Sequence, residues 1–141
     1  MQEFPQPEIT ETNKPFWDGL KQGRLLFQTC PNNHRWLPAR DFCPHCLSEK
    51  VSFVESSGRA KVISWVVYRT AFHDAFKDRI PYNVSLVQLE EGPRMMTNVL
   101  CDSNALEADM PLQLEIQSEG ELAIARFRPV EEPRHITKVT T

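Results

Sequence analysis

The chain has 141 residues, of which 16 are basic and 19 acidic, for a net charge of −3, and 40% are apolar. That length fits one compact domain, alone or with a small appendage. The acidic balance argues against binding to a nucleic-acid backbone, and no apolar run approaches the roughly 20 residues that span a bilayer.

Residues 1–23 read as a leader followed by a short helix. MQEFPQPEITETNKP has acids and prolines where a secretory signal would have a basic start and an apolar run. A cytoplasmic, reducing setting is therefore expected, in which clustered cysteines serve as metal ligands or redox groups more often than as structural disulfides. Pro15 suits the first turn of PFWDGLKQG; Phe16, Leu20 and Trp17 form its apolar side, and Gly23 ends it.

Residues 24–57 read as a zinc ribbon. RLLFQTC (24–30) is a strand leading into CPNNHRWLPARDFCPHC (30–46), which holds three of the four cysteines. Cys43 and Cys46 have the two-residue gap of a metal knuckle. The other knuckle has only Cys30, with Asn33 where a second cysteine would fall and His34 next to it. Asn is a poor zinc ligand, whereas an imidazole joins three thiolates in a common structural set. Zinc held by Cys30, His34, Cys43 and Cys46 would make foldable a segment too short to build its own core. His45, between two ligands, faces solvent. Two other readings stand beside this one: a relic ribbon without metal, and a Cys43–Cys46 disulfide with redox chemistry. The latter lacks the strand-to-helix setting of redox CxxC motifs.

Residues 58–129 read as a five-stranded OB-fold barrel. RAKVISWVVYRT (59–70), PYNVSLVQLE (81–90), MMTNVLC (95–101), MPLQLEIQ (110–117) and LAIARFRP (122–129) are the strands. EEGPR and SEGE form the hairpin turns, and the long first strand serves both halves of the barrel. In MPLQLEIQ the alternation places Leu112, Leu114 and Ile116 on one face. AFHDAFKDRI (71–80) interrupts the strands as a loop or short helix. The tail, 130–141, has little to bury. Cys101 is expected as an unreactive packing residue at a strand end. Trp17, Trp36 and Trp65 are expected to pack helix and ribbon against the barrel. No nucleophile–base–acid set stands out among the scattered histidines, His34, His45, His73 and His135.

This order of parts, mainly β with an N-terminal helix, a rubredoxin-like zinc ribbon and an OB barrel, resembles the small zinc-ribbon/OB-fold acyl-CoA-associated proteins. The resemblance rests on FWDGLKQGRLLFQTC, PARDFCPHC, GRAKVISWVVYR, PYNVSLVQLEEGPRMMTNV and MPLQLEI, and covers residues 16–128. It implies a non-catalytic partner of a thiolase-fold catalytic subunit, in a two-plus-two assembly that makes or breaks carbon–carbon bonds in acyl-CoA. Two positions depart from the family pattern: Asn33 in the first knuckle, and Asp109-Met110 where a glycine often precedes the fourth barrel strand. A CoA ligand needs cations for its phosphates and aromatic or apolar slots for the rest. Arg69, Phe72, Phe76, Lys77, Arg79 and Tyr82 offer that mixture, which suits a partner interface equally. The competing function class is a single-stranded nucleic-acid-binding ribbon/OB module, since both modules serve that purpose elsewhere.

Overall fold

A proline lacks a backbone N–H to donate, so Pro15 fits the first turn of α1 (Lys14–Lys21). In this computed structural model, which describes residues 7–69 and 81–130, α1 ends as the glycine predicts. Gly23 adopts φ +82°, its N–H donates to the Leu20 carbonyl at 3.0 Å, and Arg24 N–H donates to the Gly19 carbonyl at 2.8 Å. These two bonds satisfy carbonyls that the helix leaves free. Leu20 is buried, while Phe16 and Trp17 pack at the edge of the main core.

The chain then forms β1 (Leu26–Thr29), β2 (Arg35–Trp36) and β3 (Ser52–Glu55), an antiparallel sheet in the order β2-β1-β3. A second sheet holds β4 (Arg59–Tyr68), β5 (Tyr82–Leu89), β6 (Arg94–Thr97), β7 (Pro111–Glu119) and β8 (Leu122–Pro129), in the order β6-β5-β4-β7-β8. The long β4 pairs with β5 along its length and with β7 through Arg59, Ala60 and Lys61. A bulge between Val62 and Ser64 bends it from one half to the other. The sheet curls until its ends meet: Val99 bridges Phe127 in parallel, Leu100 N–H donates to the Phe127 carbonyl, and Phe127 N–H to the Asn98 carbonyl. That is an OB-type barrel.

The third barrel strand is shorter than the pattern MMTNVLC predicts. It ends at Thr97, because from Asn98 onward the backbone leaves β5 to reach β8. The buried Asn83 side chain guides this departure, accepting from Val99 N–H and donating to the Val99 carbonyl, both at 2.9 Å. Cys101 therefore lies beyond the strand in a loop, half-buried, its thiol pushed up first by burial and then by the Asp102 charge. The predicted alternation of β7 holds, with Leu112 fully buried and Leu114 and Ile116 packed against the core. Asp109 takes up the work of the missing glycine. It adopts φ +64° and its N–H donates to the Val62 carbonyl at 2.7 Å, a left-handed conformation that Asp tolerates better than most residues. The core beneath the barrel gathers Phe127, Val62, Val87, Leu89 and Leu112 with Leu20 and Leu25, so helix, ribbon entrance and barrel share one interior. Among the described residues no helix is long and apolar enough to cross a membrane.

Ribbon and barrel join at Ser56–Gly58. Gly58 has φ +88°, and a Cβ there would sit 2.8 Å from Gln113 Nε2 and 3.3 Å from Leu114 Cβ. Only glycine suits that approach. The Glu91 carboxylate, from the β5–β6 turn, grips the joint by accepting from Ser56 Oγ at 2.8 Å and Ser57 N–H at 2.7 Å. Arg35 of the ribbon donates to the Glu91 carbonyl at 3.2 Å. Partial burial works to raise the Glu91 pKa, but the hydrogen bonds from Ser57 and Ser56 outweigh it and hold the group below the usual 4.5. A carboxylate whose pKa is depressed on folding contributes stability above its unfolded pKa and loses it as pH falls through the folded value. The urea midpoint should thus fall as pH drops below about 4.5, and Glu91→Gln should lower stability at pH 7 and flatten that dependence. Denaturation curves at pH 7 and pH 3 check both; an unchanged slope in Glu91→Gln would contradict the role of this carboxylate.

Candidate metal centre

Each half of the cysteine segment closes as a tight turn around one sulfur. In the second half, Cys43 Sγ accepts from the N–H groups of His45 at 3.2 Å and Cys46 at 3.3 Å, and Leu47 N–H donates to the Cys43 carbonyl at 2.9 Å. Backbone amides aimed at sulfur stabilise a thiolate. In the first half, Asn33 N–H donates to the Cys30 carbonyl at 2.9 Å and Asn33 itself takes φ 65°. Asn33, at the expected cysteine position, thus serves as the left-handed hinge, and the chain turns one residue wider so that His34 reaches inward.

The result brings together the four residues picked out by spacing. One donor atom from each of Cys30, His34, Cys43 and Cys46 lies within 4.8 Å of all the others. Cys30 Sγ and Cys46 Sγ are 3.8 Å apart, and His34 Nδ1 is 3.4 Å from both Cys30 Sγ and Cys43 Sγ. Zn–S bonds of about 2.3 Å and Zn–N bonds of about 2.0 Å set tetrahedral edges of about 3.8 Å between sulfurs and about 3.5 Å between sulfur and nitrogen. The donor set therefore fits a tetrahedral zinc through Nδ1 of the imidazole. It has no open coordination position, which is the mark of a structural site. All four cysteines are free thiols, so the Cys43–Cys46 disulfide is not formed here. His45 is exposed, as expected, with its ring centroid 5.1 Å from that of His34.

The electrostatics separate the sulfurs. Burial pushes the Cys30 thiol up, against hydrogen bonds from the backbone of His34 and Asn32. Cys46 is lowered to about 6, chiefly by the Asn32 side-chain amide, which donates to its sulfur at 3.4 Å, and next by the Ser48 backbone. Asn32 is a site residue that spacing alone did not single out.

A second omission is Gln28. It is the fully buried side chain of β1, and its Oε1 accepts from Trp36 Nε1 and Arg40 N–H, each at 2.6 Å. Trp36 departs from the expectation that it packs against the barrel. It lies in the ribbon's own small core with Cys30 and Cys43, because Gln28 holds its indole there; Trp17 and Trp65 do pack on the main core. A long polar side chain directly after Leu25, Leu26 and Phe27 was the available signal. Gln28→Leu leaves both donors without their acceptor and should cost about 2–4 kcal/mol, read as a lowered thermal midpoint and slower recovery of the metal-bound state. A loss below about 0.5 kcal/mol would mean that water replaces the amide.

Of the residues expected to meet CoA or a partner, Phe72, Phe76, Lys77 and Arg79 lie outside the described residues. Arg69 is exposed just past the end of β4, and Tyr82 begins β5, its ring stacked on Tyr68 with centroids 5.3 Å apart. Tyr68 and Tyr82 border a groove of about 1010 Å³ at that end of the barrel, floored by Asn83, Asn98, Gln117 and the Arg126–Glu119 ion pair.

Comparison with known proteins bears on both modules. Residues 17–52 match the family model of the ChsH2 rubredoxin-like zinc ribbon domain, and residues 53–117 that of the ChsH2 C-terminal OB-fold domain. A DUF35 domain-containing scaffold protein of Pyrococcus furiosus is 38% identical over 124 residues, 82% of this chain and 90% of that protein. A probable enoyl-CoA hydratase alpha subunit of Thermomonospora curvata is 35% identical over 131 residues, 89% of this chain but only 40% of that longer protein. Among solved structures, a chain of the Ltp2-ChsH2(DUF35) aldolase superposes with a TM-score of 0.80 at 34% identity, covering 88% of this chain and 98% of that one.

Proposed function

Since this chain belongs to the ChsH2/DUF35 family of zinc-ribbon and OB-fold proteins, we propose that it is a non-catalytic accessory subunit of a thiolase-like complex acting on acyl-CoA. The observation that carries this reading is the likeness to nearly the whole of one chain of an aldolase named for two proteins. The scaffold name of the Pyrococcus relative and the hydratase alpha subunit name of the Thermomonospora relative point the same way. On this reading the partner supplies the nucleophile and the acid–base groups for making or breaking a carbon–carbon bond. This chain supplies architecture and part of the CoA-side surface, in a two-plus-two hetero-tetramer.

Cys30, His34, Cys43 and Cys46 hold one structural zinc. When bound, the ion cross-links the two knuckles and supplies no reaction chemistry. On this reading Arg69, Phe72, Phe76, Lys77, Arg79 and Tyr82 meet CoA or the partner; for Tyr82, its stack on Tyr68 beside the barrel groove supports the assignment.

Co-expression with the protein encoded beside it tests the assignment. The expected result is a stable pair that contains zinc and turns over a CoA thioester, while this chain alone does not. Turnover of a thioester by the isolated chain would overturn the accessory role. Salt-sensitive capture of single-stranded DNA would shift the assignment to nucleic-acid binding.

A further inference from the structure

The outer face of the barrel carries an apolar surface that the fold does not cover. On β4, β5 and β6 the side chains opposite the core include Val66, Val84, Leu86 and Met96, placed side by side by the pairings Val66↔Val84 and Leu86↔Met96. Val66 is 53% exposed and Met96 59%. A contiguous apolar face that the fold leaves uncovered is a candidate interaction site. Here it runs into a groove of about 410 Å³ that Leu86 and Met96 share with Phe16 and Trp17 of α1 and with Leu37 and Pro38, in the loop after β2. Helix, ribbon and barrel all contribute to it. An occupant of that groove touches all three parts at once and so reads their relative placement, which the Glu91 joint maintains.

The charge of the groove is one-sided. Among the described residues Arg94 is exposed beside it, has no ion-pair partner and is the only charged residue lining it, with no Asp or Glu there. Apolar anchors beside a lone guanidinium suit a protein segment that presents large apolar side chains and a carboxylate, since Arg fixes carboxylates in two-pronged geometry. We infer that this groove and the adjoining sheet face form the docking surface for the catalytic partner, which inserts an apolar segment beside Trp17 and Met96 and pairs a carboxylate with Arg94. The inference rests on the accessory-subunit reading.

The test uses the co-expressed pair and measures its dissociation constant by titrating one purified subunit against the other. Met96→Glu and Arg94→Glu should each weaken assembly by about thirtyfold or more, with the variant chains keeping wild-type zinc content and thermal midpoint, because both side chains are exposed. Arg94→Lys should retain most of the affinity. Leu47→Glu, 67% exposed on the ribbon and not part of the groove, should leave it unchanged. Equal assembly of wild type, Met96→Glu and Arg94→Glu overturns the docking surface while leaving the accessory role intact. A self-association of this chain alone that Met96→Glu abolishes, with the hetero-pair unaffected, assigns the groove to a second copy and also overturns it. If the wild-type pair never forms, the accessory reading fails and this surface loses its occupant with it.

Discussion

Cys43→Ser is expected to empty the metal site and unfold the ribbon. Cys43 is the most enclosed of the four donors, with no measurable exposure. Its sulfur receives two backbone amides, and it lies 3.4 Å from His34 Nδ1. A hydroxyl is a weak zinc ligand, so the ion would be left with three donors and an open side. The ribbon's own core, Cys30, Trp36 and Cys43 with Cys46 and Val51 beside it, is too small to hold residues 30–51 in place. A structural zinc contributes on the order of 10 kcal/mol to folding such a segment, more than the whole net stability of many domains. The substituted chain should therefore purify with less than one tenth of the wild-type zinc, by roughly the tenfold-per-1.4-kcal/mol rule, and with the ribbon's Trp36 fluorescence shifted toward that of exposed indole. Excess chelator should produce the same shift in the wild type, reversed by added zinc. A Cys43→Ser chain with unchanged metal content and thermal midpoint would mean that packing alone holds the ribbon.

Phe127→Ala should have the next largest effect, through the barrel. Phe127 is the largest fully buried side chain. It sits at the seam where Val99 and Leu100 meet β8, so its ring and its backbone act at the same place. Truncation to Ala removes the ring's burial and leaves a cavity among Val62, Val87 and Leu112, which β-sheet backbones on several sides prevent from collapsing. Such substitutions cost about 3–5 kcal/mol, equivalent to a fall of about 6–20 °C in the thermal midpoint for a chain of this size. The fall should be accompanied by faster hydrogen exchange at the Leu100 and Phe127 amides, which close the seam. A loss below about 1 kcal/mol, with those two amides still protected, would show that the barrel closes without the ring.

Much of the fold was legible because its signals are local. Proline and glycine bracket α1, alternation marks β7, and the turns EEGPR and SEGE lie where β5 meets β6 and β7 meets β8. The short strands β2 and β3 carry no such signal. Two and four residues long, they exist because β1 offers them a partner. The end of β6 was misjudged for a related reason. NVLC continues an apolar, β-branched texture, but its backbone is claimed by Asn83 and β8, far away in sequence.

The candidate metal ligands stand out by their spacing, since zinc demands sulfur and imidazole at short intervals and few other uses explain three cysteines in seventeen residues. What spacing leaves open is whether the widened first knuckle reaches. That depends on Asn33 turning left-handed and on His34 offering Nδ1, both properties of the folded turn. Asn32 and Gln28 were invisible for the same reason: an amide becomes part of a site only when another segment brings it a sulfur or an indole.

The sequence by itself determined the modules, their order and the candidate ligand residues, because each is written in contiguous residues whose local preferences agree. Only the tertiary structure decided how the modules face one another. The Glu91 joint, the closed seam at Phe127 and the apolar groove that α1, the ribbon and the barrel build together all depend on contacts between distant segments, and such contacts follow from packing a shared core, not from the period of any one stretch.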